Sequence, residues 1–374
     1  MRILLTGGGT GGHITPLIAV ARETKKICQE NGFEIPEFFF MGPAGFSEEL
    51  LAKENIPVKI ILAGKIRRYF SFKNFLDIFK APAGLLQAIF KIFFLMPDAV
   101  FSKGGYGSVP VVLASRLFRI PVLLHESDAV PGLANRFLSK YSQKIATSFA
   151  TAEKFFPNKK IAVTGNPVRD TITKSNPESI QKIFGLPGEK QVIFIFCGSQ
   201  GAQPINDLIL SAFSGLLEKY ELIWQAGIEN YGLVAKQIKE IFNEIPKTCH
   251  LAAFLNEEQI AAAFAASTLV ISRAGASNIF EIAACAKPSI LIPLPNSASD
   301  HQRENAFEYA KYGAATVMEQ TNLTPHVFAG EISRLINNKE LLQKMSDCAK
   351  SFAKPDAARK IAIELLALAE KVVQ

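Results

Sequence analysis

The run Gly7-Gly8-Gly9-Thr10-Gly11-Gly12-His13 joins the apolar segment Ile3-Leu4-Leu5 to a helical pattern, and five of the six residues from Gly7 to Gly12 are glycine. A chain that opens this way has few folds available to it. Glycines let the backbone turn sharply at the end of a strand and approach a ligand closely. The free N–H groups of the following helix then aim partial positive charge at the same point. Strand, turn and helix in this order begin an α/β sheet, with a geometry that suits a diphosphate or a group developing negative charge. Thr15 has the chemistry of an N-cap and Pro16 that of a first helical residue, so the helix is expected to begin there. Leu17, Val20, Ala21, Thr24, Ile27 and Cys28 follow at helical spacing. A site of the NAD type is disfavoured because no acid follows the end of a clear second strand; Glu30 and Glu34 fall at a helix end.

The same plan repeats along the chain. Phe38-Phe39-Phe40, Val58 to Leu62, Ala99-Val100-Phe101, Val122-Leu123-Leu124 and Ile161-Ala162-Val163 read as strands with helical patterns between them. A second cycle starts at Val192-Ile193-Phe194-Ile195-Phe196, again followed by a glycine turn and a helix. It continues through Leu222-Ile223-Trp224, Leu269-Val270-Ile271 and Ile290-Leu291-Ile292. With 374 residues the chain exceeds the ~100–200 typical of one domain. The expected organisation is a first α/β domain over 1–165, a second over 166–350, and a helix over 351–374 that packs back on the first domain.

Several loops carry candidate chemistry. His13, where the glycine loop meets its helix, has an ordinary pKa near 6.5 and can take a proton from a hydroxyl nucleophile. Ser102-Lys103-Gly104-Gly105-Tyr106-Gly107-Ser108 is a second anion-friendly loop, and two such loops in one half point to an acceptor bearing phosphates. His125-Glu126-Ser127-Asp128 follows a strand, which puts an imidazole and two carboxylates where open α/β sheets bind ligands; Glu126 is the alternative base. In the second half, Ser199 to Ala202 and Arg273 to Ser277 are expected to form phosphate-binding helix starts. Glu281 is placed to accept from a ribose diol, and Gln302 to read a sugar hydroxyl. The five cysteines are scattered without a C-x-x-C pair, so a reduced, cytosolic protein without a cysteine metal site is expected.

Lys and Arg number 41 against 34 Asp and Glu, a formal charge of +7 that favours an anionic partner. From Lys65 to Phe79 cations and aromatics interleave, the composition of a peripheral membrane surface. Phe90 to Phe94 reads as the core side of an amphipathic helix. No signal peptide or spanning segment is expected, since the apolar stretch Leu85 to Met96 is shorter than the ~20 residues required. No known nucleic-acid module appears, and no nucleic-acid partner is expected.

The segments Thr6 to Pro16, Ser102 to Tyr106, His125-Glu126-Ser127, Pro131 to Arg136, Gly165 to Arg169, Gly198 to Ala202, Arg273 to Ala276 and Asp300-His301-Gln302 with Asn305-Ala306 occur in an order that resembles the MurG family. These are the N-acetylglucosaminyltransferases that convert lipid I to lipid II in bacterial peptidoglycan synthesis. The resemblance implies two Rossmann-like α/β domains facing a central cleft, the glycosyltransferase B fold. It implies UDP-GlcNAc as donor and an undecaprenyl-diphosphate-linked muramyl pentapeptide as acceptor. It also implies peripheral attachment to the cytoplasmic face of the inner membrane, here through Lys65–Phe79, and association with other cell-wall synthesis proteins. By motif position, Thr10, Gly11, Gly12, Asp128, Arg169, Ser199, Gln302 and the segment Ala276, Ser277, Asn278, Ile279, Phe280 and Glu281 contact the donor. Leu255 lies where the uracil pocket is expected. Gly104, Gly105 and Tyr106 face the acceptor diphosphate, and no cofactor or metal is required. Three positions depart from the family's pattern: Asp128 replaces an Asn, Cys197 a glycine, and Phe280 a small or polar residue.

The expected reaction is a single inverting displacement in which His13, or Glu126 in its stead, deprotonates the muramyl 4-hydroxyl. Three other readings share these features: a glycosyltransferase acting on another lipid such as a diacylglycerol, a UDP-GlcNAc 2-epimerase, and a catalytically silent sugar-nucleotide-binding subunit.

Overall fold

The computed structural model describes residues 1–8, 11–45, 47–64, 72–157, 160–174, 180, 183–198 and 201–373, with backbone alone at 11, 47, 72–79 and 371–373. It divides into two compact units, Met1–Arg169 with Lys354–Gln374, and Asp170–Ala353. The first division falls just beyond the Gly165 boundary expected from the sequence.

In the first unit the strands β1 (Arg2–Thr6), β2 (Glu37–Gly42), β3 (Val58–Ile60), β4 (Ala99–Ser102), β5 (Val122–Glu126), β6 (Lys144–Thr147) and β7 (Ile161–Val163) form one parallel sheet. Their order is β3-β2-β1-β4-β5-β6-β7. Ile3 pairs in register with Phe38 on one side and with Ala99 on the other. The central strands are buried nearly throughout, as a parallel sheet covered on both faces requires. Alternation sends Ile3, Leu5, Phe38, Phe40 and Phe101 to one face, against α1 (Gly11–Asn31). Leu4, Met41, Val100, Val122 and Leu124 go to the other, against α3 (Phe72–Leu95) and α4 (Val109–Leu117). The helix α2 (Ser47–Ala52) precedes β3, and α5 (Leu133–Leu138) lies between β5 and β6.

The last helix, α13 (Ala357–Val373), completes this first unit. Ile361, Ala362, Leu365, Leu366, Leu368 and Ala369 enter the core beneath α1. Arg359 pairs with Glu23 at 3.0 Å and Glu30 at 2.8 Å on α1.

The second unit repeats the scheme with β8 (Gln191–Phe196), β9 (Tyr220–Gln225), β10 (Cys249–Ala252), β11 (Ser267–Ser272), β12 (Ser289–Leu291) and β13 (Ala315–Val317), ordered β10-β9-β8-β11-β12-β13 and all parallel. Its helices are α6 (Gln203–Lys219), α7 (Tyr231–Phe242), α8 (Glu257–Ala266), α9 (Ala276–Ala284), α10 (His301–Ala310), α11 (Pro325–Ile336) and α12 (Lys339–Phe352). Two parallel-sheet α/β units agree with the expected fold class.

The structure corrects three expectations. The first helix begins at Gly11, so His13 sits on its first turn and Pro16 inside it. The proline removes only the hydrogen bond that would return to Gly12, at an end where carbonyl pairing is just starting. The strands Lys144–Thr147, Cys249–Ala252 and Ala315–Val317 are additions, each too short and mixed in polarity to stand out as an apolar run. Finally, Phe90, Phe93 and Phe94 are not core residues but 65%, 57% and 67% exposed. Helix α3 is apolar on more than one side: among its described side chains Ala88, Ile92 and Leu95 are buried toward the sheet, with Leu85 and Ile89 partly buried beside them. No described helix is long and apolar enough to cross a membrane. The side chains of Lys65–Phe79 lie outside the described residues.

Candidate active site

In each unit the strand order reverses at one place, between β1 and β4 in the first and between β8 and β11 in the second. Open α/β sheets bind ligands at the carboxyl ends of strands at such a switch point. The glycine loops occupy these ends.

In the first unit, the loop after β1 meets the loop after β4. A Cβ on Gly107 would stand 2.7 Å from the Gly7 carbonyl oxygen, so the two backbones are in contact. The imidazole of His13 fills the space beside them. A Cβ on Gly8 would be 2.7 Å from Nδ1, and one on Gly105 would be 3.5 Å from Nε2. Gly104 and Gly105 have φ of 77° and 78°, the left-handed region that favours glycine, and a side chain on Gly104 would collide with Asn135. His13 is half-buried, Gly12 exposed, and Tyr106 opens a short 3-10 turn. Thr10 lies outside the described residues.

Beneath this pair of loops is a buried polar network. Lys103, only 1% exposed, donates from Nζ to His125 Nδ1 at 2.7 Å, to Ser127 Oγ, and to Asn166 Oδ1 at 3.1 Å. Its three acceptors match the three N–H bonds of an ammonium. His125 carries its proton on Nε2, which faces the Gly165 carbonyl oxygen at 3.1 Å. Burial, reinforced by the Lys103 charge, holds its pKa well below the usual value, so the ring is neutral.

Glu126 is 3% exposed and both carboxylate oxygens are engaged. The Asp128 N–H donates to Oε1 at 2.9 Å, and Asn135 Nδ2 donates to Oε2 at 2.8 Å. Asn135 Oδ1 in turn accepts the Gly105 N–H at 3.0 Å. Burial, then the neighbouring Asp128 carboxylate, push the Glu126 pKa up; the two N–H donors and Lys103 oppose the rise. Burial lowers that of Lys103, against the pull of Glu126 and Asp128.

In the second unit, Gly198 follows β8, and Gly275 is the N-cap of α9 after β11. Gln225, at the end of β9, ties two loops together. Its Nε2 donates to the Gly198 carbonyl at 2.6 Å and its Oε1 accepts the Leu255 N–H at 3.3 Å. Leu255 itself is buried. Arg273 donates to the carbonyls of Ile292 at 3.1 Å and Pro293 at 3.2 Å, and to Gln320 Oε1 at 2.8 Å. The next N–H, that of Leu294, donates to Gln302 Oε1 at 3.0 Å and so fixes how that amide is turned. On α9, Ser277 and Asn278 are half-buried. Asn278 Nδ2 donates to Ser272 Oγ at 2.9 Å, tying the helix start to β11. Ala276, Ile279, Phe280 and Glu281 are buried, and Phe280 stacks 5.1 Å from Phe352, so its bulk serves packing. Arg169 is buried at the end of the first unit. Ser199 lies outside the described residues.

The structure therefore brings His13, Gly104, Gly105, Glu126 and Asp128 to one end of the first sheet. It brings Gly198, Leu255 and the start of α9 to the corresponding end of the second. Lys103, Asn135, Asn166, Gln225 and Arg273 gain positions in these networks that sequence reading did not give them.

Comparison with known proteins agrees with this layout. Residues 3–147 match the glycosyltransferase family 28 N-terminal domain and residues 192–361 its C-terminal domain. A curated relative from Bacillus cytotoxicus, named UDP-N-acetylglucosamine–N-acetylmuramyl-(pentapeptide) pyrophosphoryl-undecaprenol N-acetylglucosamine transferase, is 35% identical over 363 residues, 96% of this chain and 97% of its own. The crystal structure of Acinetobacter baumannii MurG superposes with a TM-score of 0.71 at 28% identity, covering 98% of this chain and all of its own. A UDP-GlcNAc 2-epimerase from Neisseria meningitidis, solved with UDP-GlcNAc, reaches a TM-score of 0.67 at 17% identity, covering 98% of this chain and 100% of its own, which is a likeness of fold.

Proposed function

The chain belongs to glycosyltransferase family 28, and from that premise we propose that it transfers GlcNAc from UDP-GlcNAc to the muramyl 4-hydroxyl of undecaprenyl-diphosphate-MurNAc-pentapeptide. The observation that carries the reading is His13, whose half-exposed ring lies against the Gly8 and Gly105 backbones where a phosphate-bearing acceptor would dock. The second unit holds the donor. Its Gly198 loop and the start of α9 take the diphosphate, the Leu255 loop takes the uracil, and Gln302 meets the sugar.

His13 removes the hydroxyl proton as the oxygen attacks the anomeric carbon, and the C1–O bond to UDP breaks with inversion. A positioned base contributes ~10²–10⁴-fold. Backbone N–H groups and Arg169 stabilise the charge that develops on the departing diphosphate, a role that needs no metal. Glu126 suits the base role less well, because it is buried with both oxygens already accepting.

The apolar surface of the first unit supports peripheral attachment to an anionic bilayer. Leu86, Phe90, Phe93 and Phe94 are exposed on α3. The end of α4 lies alongside, with the Phe93 and Phe118 rings 6.2 Å apart and Arg116, Leu117 and Arg119 exposed. Apolar side chains beside cations are the chemistry of a headgroup-level contact. This patch follows the Lys65–Phe79 segment in sequence, and the leaflet proposed for the contact is the cytoplasmic one.

The test is incubation with labelled UDP-GlcNAc and a short-chain lipid I analogue, followed by product identification. Formation of the disaccharide supports the reading; a 2-epimer formed without lipid, or no turnover on any muramyl acceptor, overturns it.

A further inference from the structure

The Gly105 N–H reaches the buried charges through a single side chain, Asn135, whose amide has two ends and can stand either way round. It stands with Oδ1 accepting from Gly105 and Nδ2 donating to Glu126. Turned over, its NH2 would confront the Gly105 N–H, donor against donor. The Gly105 N–H and Glu126 therefore select the same orientation, the first by donating and the second by accepting. An ionised carboxylate only accepts, so it holds Nδ2 toward itself and leaves Oδ1 for Gly105. A protonated carboxyl can also donate, so its share of the selection is lost and only the Gly105 N–H still holds the amide.

The groups facing Glu126 divide by sign. Asp128, in the turn after β5, supplies a carboxylate as well as its N–H. Lys103, at the end of β4, supplies the cation, and it is locked in place by His125, Ser127 and Asn166. His125 is the remaining titratable neighbour in the network, and its Lys103-facing nitrogen accepts, which leaves the ring neutral. Lys103 is itself anchored through its N–H to the Thr6 carbonyl oxygen of β1 at 2.8 Å. A buried charge without partners is costly, so the ionised carboxylate is held first by the N–H of Asp128 and the amide of Asn135, and then by the charge of this lysine.

We propose that Lys103 and Glu126 are positioning residues: two buried groups of opposite charge in one network that, through the amide of Asn135, keeps the Gly104–Tyr106 loop set to receive the acceptor's diphosphate. The inference rests on the assignment of that loop to the acceptor. It makes acceptor affinity, and not donor affinity, sensitive to a proton on Glu126. As pH falls, Glu126 protonates, Asn135 loses one of the two contacts that fix it, and the acceptor KM rises. Removing the cation moves this limb to higher pH. Removing the neighbouring carboxylate moves it to lower pH.

The experiment follows the Gly105 backbone amide by 1H–15N correlation across pH in glycine-labelled protein, for the wild type, Lys103→Met, Asp128→Asn and Asn135→Ala. Acceptor and donor KM are measured over the same range. The expected titration midpoint rises by about 1 pH unit or more in Lys103→Met, falls in Asp128→Asn, and is lost in Asn135→Ala. The acceptor KM follows the midpoint and increases about tenfold or more in Lys103→Met at neutral pH, with donor KM within about twofold. Asp128→Asn leaves the buried lysine in place and decides the matter if Lys103→Met does not fold. An amide midpoint that ignores both substitutions, or a donor KM that moves with the acceptor's in Lys103→Met, overturns the proposal. If the wild type transfers no GlcNAc, the functional reading falls, while the Gly105 titration still decides whether the charge pair controls the loop.

Discussion

Gly105 faces the imidazole of His13 across the space of one methyl group: a Cβ on the glycine would stand 3.5 Å from Nε2, in ordinary contact. Little room separates the proposed base from the loop assigned to the acceptor. Alanine at Gly105 would have to hold a φ near 78°, costing roughly 1–2 kcal/mol, and its methyl would fill the space beside the ring. The expected result for Gly105→Ala is a lower kcat and a raised acceptor KM with donor KM unchanged. His13→Ala should lower kcat by ~10²–10⁴-fold with both KM values retained. Steady-state kinetics on a soluble lipid I analogue checks both, and a His13→Ala enzyme that keeps its rate would transfer the base role elsewhere.

Gln225 makes the matching prediction for the donor. It is fully buried and holds the Gly198 and Leu255 loops with the two ends of one amide. Leucine in its place leaves a carbonyl and an N–H unpaired, at about 1–3 kcal/mol for each such group. Gln225→Leu should therefore raise the UDP-GlcNAc KM about tenfold or more and leave the acceptor KM near its original value. Calorimetric titration of UDP against the variant checks the same point without turnover; unchanged UDP affinity would separate Gln225 from the donor site.

These two sites were legible in the sequence to different depths. The glycine runs after β1 and β4 are local patterns, and local patterns place loops at strand ends. What joins the loops is not local. Asn135 meets Glu126 and Gly105 because α5 folds back over β5, and nothing in Pro131 to Arg136 alone marks that encounter. Lys103 was visible within its motif, but only burial and three acceptors, two from the end of β5 and one from beyond β7, give it a part. The exposed Phe90, Phe93 and Phe94 were misread for a related reason: periodicity shows that a helix has an apolar face, and α3 has more than one.

The C-terminal helix offers a stability test. Leu365 is fully buried in the core shared by α1 and the first sheet, far along the chain from both. Truncating a buried leucine typically costs 2–5 kcal/mol, the spread reflecting how far the cavity can close. Leu365→Ala should lower the denaturant midpoint of the transition that reports the first unit, with its slope unchanged. A midpoint equal to that of the wild type would mean that α13 adds nothing to the folding of that unit.

The apolar patch on α3 separates two contributions to membrane binding. Burying a phenylalanine side chain fully is worth ~1.5–3 kcal/mol, and each cation near an anionic surface about 1 kcal/mol. Phe90→Ser with Phe94→Ser should weaken association with vesicles of mixed neutral and anionic lipid by roughly 10²-fold, to the same degree at low and high salt. Arg116→Gln with Arg119→Gln should weaken it by roughly tenfold at low salt and little at high salt, because screening already removes that attraction. Both variants should transfer GlcNAc normally to a soluble acceptor, since neither replaces a residue of the glycine loops or of the network beneath them. Vesicle cosedimentation at two ionic strengths measures each effect, and phenylalanine variants that sediment like the wild type would remove this face from the membrane contact.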